Sequence, residues 1–410
     1  MGYATKLACA LGGVALALPA LAADPIKIGC ATSMTGGVAV NGKQVMMGFE
    51  LWRDDVNAKG GLLGRQVQLD CYDDQSNPSN IPPIFTKLIE VDKVDLLIGP
   101  YATNMAVPAI PILMQHKMTT VAVTALAANS QFHYPGYFVM LSSGPDPRHA
   151  FSEGFFSIVA GMNPKPKTLA LAGADAEFAK NSIDGARDNA KKAGLEIVYD
   201  KAYPPNTTDY VPIMHAIEAT HPDILYSAGY NPDTVGMVQA AHETGFKTQL
   251  FGGTMIGLAS TSGRMQLGKL TNGILYTDAF SLGFDFPGLK DVLKRYQERA
   301  AKEGTDPIGY SYIPFSYGAG QILGDAIKAV GSLDNEKIAQ YIHAHQFETV
   351  AGPISFTPDG EWTQNRMVLV QFQDVEKGSL DEFRDPKHVV TLWPPKYKDG
   401  ALMAPYDASK

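Results

Sequence analysis

Apolar positions along the chain switch between a period of two and a period near 3.6, and the switches divide it into alternating strands and helices. Ile26-Lys27-Ile28-Gly29-Cys30 reads as a strand that runs into a Gly-rich turn. In the next stretch Val45, Phe49, Trp52 and Val56 recur at spacings of four, three and four, which puts them on one helical face. Asn57-Ala58-Lys59-Gly60-Gly61 ends that helix with glycine at its C-cap. Residues 67–71 form a second strand, 84–91 lie in a second helix, and 95–98 are nearly continuous aliphatics, the pattern of a parallel strand buried on both faces. Another helix and a strand at 120–123 complete a doubly wound α/β unit, which takes ligands beyond the carboxyl ends of its strands.

Around residues 138–147 the pattern breaks at Leu141-Ser142-Ser143-Gly144-Pro145-Asp146-Pro147, a candidate crossover. A second series then begins. Strands are expected at 168–172, 195–199, 224–227 and 249–252, with helices at 182–193, from 210, and at 234–244 between them. A strand at 274–277 leads out, long helical patterns occupy 289–302 and 316–330, and 367–373 resembles a late strand. The two units look like one architecture used twice. Within Leu250-Phe251-Gly252-Gly253-Thr254-Met255, Thr254 is placed where side chains first meet solvent beyond the strand.

The N-terminus does not fit this scheme. Lys6 is the only charge before an apolar run over residues 7–18, and Pro19 and Ala20-Leu21-Ala22 follow, the pattern of a secretory signal peptide cut near Ala22-Ala23. A membrane anchor is the alternative, but the run is short for a span of ~20 residues and lacks basic charge on its far side. Lys6-Leu7-Ala8 is a poor lead-in for lipidation of Cys9. Removing 22 of the 410 residues leaves 388, more than one core of ~250–300 residues holds, so two lobes are expected. With 45% hydrophobic and 19% charged residues and a net charge of −8, the chain has no basic run to attract nucleic acid. Of its three cysteines only Cys30 and Cys71 would survive cleavage, and in an oxidising compartment they suggest one disulfide, with two buried thiols as the alternative.

Signals for catalysis are sparse. The chain has no G-x-x-x-x-G-K-[ST] loop, no G-x-S-x-G elbow and no H-E-x-x-H. His343-Ala344-His345 could present a metal pair, but it follows a helical pattern over 338–342 and reads as a solvated helix end. Asp73-Asp74 could be a paired carboxylate, but neighbours after a strand point opposite ways, which favours turn capping.

The order of segments carries more information than any one of them. Ser33-Met34-Thr35-Gly36-Gly37, then Val56-Asn57-Ala58-Lys59-Gly60-Gly61-Leu62-Leu63-Gly64, Tyr72-Asp73-Asp74, Ile98-Gly99-Pro100, Ala228-Gly229-Tyr230-Asn231-Pro232 and Val350-Ala351-Gly352-Pro353 with Phe356 and Asp359-Gly360 run in sequence along the chain. This set resembles the leucine/isoleucine/valine-type periplasmic binding proteins of ABC importers over essentially the whole mature chain. The resemblance implies two lobes that close on a small ligand by hinge motion, joined by crossings near 141–144, 277–279 and 364–367. It assigns residues 23–142 and 279–365 to one lobe and 143–278 and 366–410 to the other. It also implies a monomer in the periplasm, served by an inner-membrane permease and needing no cofactor or metal.

Carried over by position, the loop that grips a ligand carboxylate falls on Tyr101-Ala102-Thr103-Asn104 at the start of a helix, with the hydroxyl from Thr103. The next loop falls on Thr124-Ala125-Leu126. Aromatic cover falls on Phe178, Tyr230 and Tyr312, and Val40 and Asn41 face the ligand side chain. In two places the chain departs from the family's amino-acid binders, with Thr254 where they carry a glutamate that neutralises the ligand ammonium and Leu126 where they carry a threonine. Burying an unpaired charge is costly, so the ligand expected is a small carboxylate with an aromatic or aliphatic body. The runner-up is a hydrophobic amino acid, its ammonium held by Asp175 or Glu177. A ligand sensor for a membrane receptor and a secreted α/β enzyme are readings from other classes.

Overall fold

The computed structural model describes Met1 and residues 24–409, so the proposed signal peptide lies outside the described residues. Among the described residues, most strands fall in two sheets. The first holds β1 (Ile26–Thr32), β2 (Val67–Asp73), β3 (Leu96–Tyr101), β4 (Thr120–Val123) and β5 (Tyr137–Met140), all parallel, in the order β2-β1-β3-β4-β5. Helices α1 (Ala39–Ala58), α2 (Ile81–Glu90) and α3 (Thr103–His116) are its crossovers. Helix α4 (Pro147–Ala160) follows and opens the second unit.

The second sheet repeats the winding. Its parallel part is β6 (Thr168–Ala174), β7 (Glu196–Tyr203), β8 (Ile224–Gly229), β10 (Leu250–Met255) and β11 (Ile274–Asp278), in the order β7-β6-β8-β10-β11. A two-residue β9 (Lys247–Thr248) precedes β10. The crossovers are α5 (Glu177–Lys192), α6 (Val211–Glu218), α7 (Asn231–Thr244) and α8 (Thr261–Leu267). Beyond β11 the chain returns to the first unit as α9 (Leu289–Glu303), α10 (Ile313–Val330), α11 (Asn335–Ala344) and the small hairpin β12 (Phe347–Thr349) and β13 (Gly352–Ile354). It then comes back as β14 (Val368–Phe372) and β15 (Val389–Trp393), which add antiparallel strands to the second sheet, and ends at β16 (Tyr406–Asp407), paired with β9. Each parallel order reverses once, between β1 and β3 and between β6 and β8. Ligands of such sheets sit outside the carboxyl ends of the strands at such points.

Close packing explains several glycines and the end of one strand. On α1, a Cβ at Gly48 would come 1.9 Å from Ser316 Oγ, and on α10 one at Gly320 would come 2.2 Å from the Trp52 ring, so these glycines let the two helices touch. In β10, a Cβ at Gly252 would meet Leu275 O at 2.2 Å, and one at Gly253 would meet Ser227 O at 2.3 Å. The strand therefore threads between β8 and β11 and continues to Met255, past the expected end at residue 252, carrying Thr254 inward with it. Cys30 and Cys71 stand directly opposite each other on β1 and β2 and are joined as a disulfide, Cα to Cα 4.5 Å.

Candidate functional site

The strand ends of both sheets converge on one cleft. Tyr101 closes β3 and Ala102 follows it, Thr124 follows β4, Leu141 follows β5, Tyr230 follows β8 and Ile256 follows β10. They line one cavity of about 40 Å³ together with Phe151, Phe178, Tyr276, Thr277, Asp278, Ala279, Ser311, Tyr312 and Met367. Of the residues expected from sequence, Ala102, Thr124, Phe178, Tyr230 and Tyr312 meet there.

The walls are aromatic with hydroxyl tips. Phe178 and Tyr230 pack with centroids 5.2 Å apart, Phe151 meets Phe178 edge-on at 6.1 Å, and Tyr101 meets Tyr312 edge-on at 5.4 Å. Tyr101 OH accepts from Asn41 Nδ2 at 3.0 Å and lies 3.5 Å from Tyr312 OH. Burial pushes the Tyr101 phenol up to about 12 and those of Tyr230, Tyr276 and Tyr312 well above their ordinary value, so all stay protonated. Three wall hydroxyls, Thr124 Oγ1, Tyr230 OH and Thr277 Oγ1, are buried with no hydrogen-bond partner among the described residues. Buried hydroxyls are normally paired, so these three are open to a guest.

Helix α3 begins at the cavity wall. Ala102 is held at φ +74° with its amide donated to Val123 O, which brings the start of α3, a positive helix end, to the cavity. Thr103 is fully buried, and its Oγ1 accepts from the Leu126 amide at 2.8 Å, tying the two loops together. Leu126 is itself fully buried, with its carbonyl accepting from Asn181 Nδ2 across the cleft at 3.1 Å. Asn41 Nδ2 also donates to Asn231 Oδ1 at 3.3 Å, and the Phe178 amide donates to Asn104 Oδ1 at 3.1 Å.

The remaining expected residues lie elsewhere. Val40 faces a separate opening with Lys43, Ser262, Met265 and Asp306. Thr254 is fully buried, its Oγ1 2.5 Å from Ser182 Oγ, which in turn lies 3.2 Å from Tyr226 OH; it is not among the cavity lining residues. Asp175 and Glu177 stand at the outer mouth of the cleft, where Asp175 pairs with Lys180 at 2.8 Å. His343 Nε2 bonds to Pro135 O and His345 Nδ1 to Tyr341 O, so the two rings do not converge. Asp73 accepts from the amides of Met34, Thr35 and Gln75, and Asp74 from Ser33 Oγ and the Ser76 amide, so both cap turns.

The sequence reading missed one charged wall residue, Asp278. Its side chain is 6% exposed; Oδ1 accepts from the amides of Ala279 and Phe280, and Oδ2 accepts from Ser311 Oγ at 3.1 Å and lies 3.7 Å from Arg264 Nη2. Burial raises its carboxyl above the ordinary range, with Arg264, Ser311 and the two amides opposing the shift. The one signal in sequence was an acidic residue closing an apolar strand, Ile274-Leu275-Tyr276-Thr277-Asp278.

A family profile described as "Periplasmic binding protein" matches residues 25–379. Among curated proteins, the Leu/Ile/Val-binding protein of Citrobacter freundii is 27% identical over 85% of this chain and 92% of its own length. An amino acid binding protein of Pseudomonas aeruginosa is 26% identical over 90% of this chain and 96% of its own. Among solved structures, a leucine binding protein of Thermotoga maritima superimposes with a TM-score of 0.74 at 20% identity, covering 86% of this chain and 96% of that one. An ABC transporter solute binding protein of R. palustris in complex with 4-hydroxybenzoate superimposes with a TM-score of 0.71 at 22% identity, covering 86% and 94%. At these identities the solved structures bear on the fold.

Proposed function

Because this chain belongs to the periplasmic binding protein family, we propose that it is a solute receptor that captures a small carboxylate with an aromatic or aliphatic body and hands it to the inner-membrane permease of an ABC importer. The observation that carries this is the cavity itself: rings from both sheets enclose it, and the orphan Thr124 hydroxyl stands beside the start of α3. An anion there meets a helix N-terminus and a free donor, while its body meets Phe151, Phe178 and Tyr230. On this reading the cleft encloses its ligand without changing it, the leader peptide directs a monomer to the periplasm, and residues 23–142 with 279–365 close against 143–278 with 366–410. The second reading, a hydrophobic amino acid, draws support from the Leu/Ile/Val-binding and amino acid binding relatives. It requires an ammonium partner, and Asp175 is already paired with Lys180 at the mouth.

A thermal-shift panel tests this, with benzoate, phenylpropanoate and 4-methyl-2-oxopentanoate against phenylalanine and leucine. A ligand at 100 times its Kd stabilises by ~2.7 kcal/mol, or roughly 4–5 °C in Tm for a chain of this size. The acids are expected to shift the midpoint and the amino acids not to. Tyr230→Ala is expected to weaken binding of the acids by about 1–3 kcal/mol through lost burial and stacking. Stabilisation by leucine, isoleucine or valine and by none of the acids overturns the proposal.

A further inference from the structure

Asp278 is hard to explain as architecture alone. It is the carboxylate among the residues lining the central cavity, and it also lines the smaller space behind it that contains Arg264. A buried carboxylate on a cavity wall is costly unless its lone pairs are used. Oδ1 is used twice, by the amides of Ala279 and Phe280. Oδ2 has one hydrogen bond, from Ser311, while Arg264 at 3.7 Å is beyond hydrogen-bond reach, its Nε committed to Leu258 O. Since each carboxylate oxygen accepts two bonds, Oδ2 keeps an acceptor position open.

Chemistry narrows what fills it. The open hydroxyls of Thr124, Thr277 and Tyr230 can donate or accept, whereas an ionised carboxylate only accepts. The ligand's own carboxylate cannot rest against Asp278, so it is directed toward α3 and its other end is directed here. That end must donate. An ammonium would add a second cation beside Arg264, whose charge already balances Asp278, while a hydroxyl adds none. We propose that Asp278 reads a hydroxyl on the body of the ligand, making the receptor selective for hydroxylated small acids over their unsubstituted counterparts. The inference rests on the carboxylate reading above and goes further in naming the ligand's second polar group and the residue that recognises it.

Titration calorimetry of the mature protein with benzoate, 4-fluorobenzoate, 3-hydroxybenzoate, 4-hydroxybenzoate and 4-aminobenzoate tests it. In the unmodified protein at least one hydroxybenzoate is expected to bind about ten- to a hundredfold more tightly than benzoate and 4-fluorobenzoate, the range for a hydrogen bond to a charged group. Asp278→Asn must keep its amide oxygen on the Ala279 and Phe280 amides and turn its NH2 toward the ligand. It is expected to reduce the preference for hydroxybenzoate over benzoate, both measured on the variant, to less than about threefold. Should the lone Arg264 charge unfold that variant, Asp278→Asn with Arg264→Gln removes both charges and serves the same comparison. Equal binding of benzoate and the hydroxybenzoates, tightest binding by the amine, or a preference that survives in the folded variant overturns the role of Asp278. Failure of every acid to bind the unmodified protein instead overturns the carboxylate reading beneath it.

Discussion

Thr254 separates two accounts of the cleft. If its hydroxyl faces the ligand, replacing it changes affinity; if it is a strut, replacing it changes stability. In the structure Thr254 Oγ1, Ser182 Oγ and Tyr226 OH form a buried chain linking β10, α5 and β8. Thr254→Val swaps the hydroxyl for a methyl of nearly the same size, so no cavity forms. One hydrogen bond is lost, but Ser182 keeps Tyr226, so no group is fully orphaned and the cost is about 1 kcal/mol. For a chain of this length that is roughly a 2 °C fall in Tm. Urea unfolding and calorimetry with a bound acid read the two effects separately, and the expected result is a lowered midpoint with Kd unchanged within about twofold. A tenfold loss of affinity with an unchanged midpoint refutes the strut. Thr254→Glu, which installs the residue of the family's amino-acid binders, buries a carboxylate against Ser182 and Tyr226 and is expected to cost several kcal/mol.

Two further outcomes concern stability. The Cys30–Cys71 disulfide closes a loop of sequence separation 41, so replacing both by alanine is expected to lower unfolding free energy by about 2–4 kcal/mol, read as a shift in urea midpoint without reductant; equal midpoints would remove the bond from the stability account. Glu361 is buried, its Oε2 has no partner among the described residues, and burial, aided by Asp359, pushes its carboxyl well above the usual range. A raised native pKa means its contribution is fully present below the unfolded value of about 4.3 and is lost as pH climbs toward the native one. Glu361→Gln is therefore expected to gain stability over the unmodified protein from pH 5 to pH 8, and a difference that stays flat with pH contradicts this.

Local patterns carried most of the fold. The periodicities of Val45, Phe49, Trp52 and Val56, and of strands such as 95–98, depend on each element's own buried face, so they show without knowledge of neighbours. Helix α4 and strand β15 were less legible, since Phe151, Phe155 and Phe156 lie among polar residues and β15 sits within a Pro- and Lys-rich tail, whereas β14 forms within the stretch 367–373 that the pattern marked as a strand. In the cleft, residues on loops after strand ends could be placed by position alone. Thr254 could not, because β10 runs two residues beyond its glycines only by virtue of room between β8 and β11. Asp278 could not either, since its surroundings are built by Arg264 and Ser311 from other parts of the chain.

The contacts that span the cleft bear on how such a receptor would work. Asn41 to Asn231, the Phe178 amide to Asn104, and Asn181 to the Leu126 carbonyl are neutral hydrogen bonds, each contributing about 0.5–1.5 kcal/mol net. Opening exchanges them for bonds to water, so they define the register of closure without locking it. Stronger crossings of charged groups would hold an empty cleft shut, and ligand entry would then be taxed by the small open fraction. Bonds to carboxylates cross as well, since Asp306 accepts from the Thr261 amide and Oγ1, and Asp278 from Ser311 Oγ, so what the cavity buries adds to a difference these bonds already set. The orphan hydroxyls of Thr124, Thr277 and Tyr230 make the empty closed form costly, and a ligand that satisfies them removes that cost only when the two sides meet. In a receptor that closes on its ligand, occupancy would thereby favour closure through the wall residues themselves, with Tyr230 joining both effects because it lines both the cavity and its outer mouth.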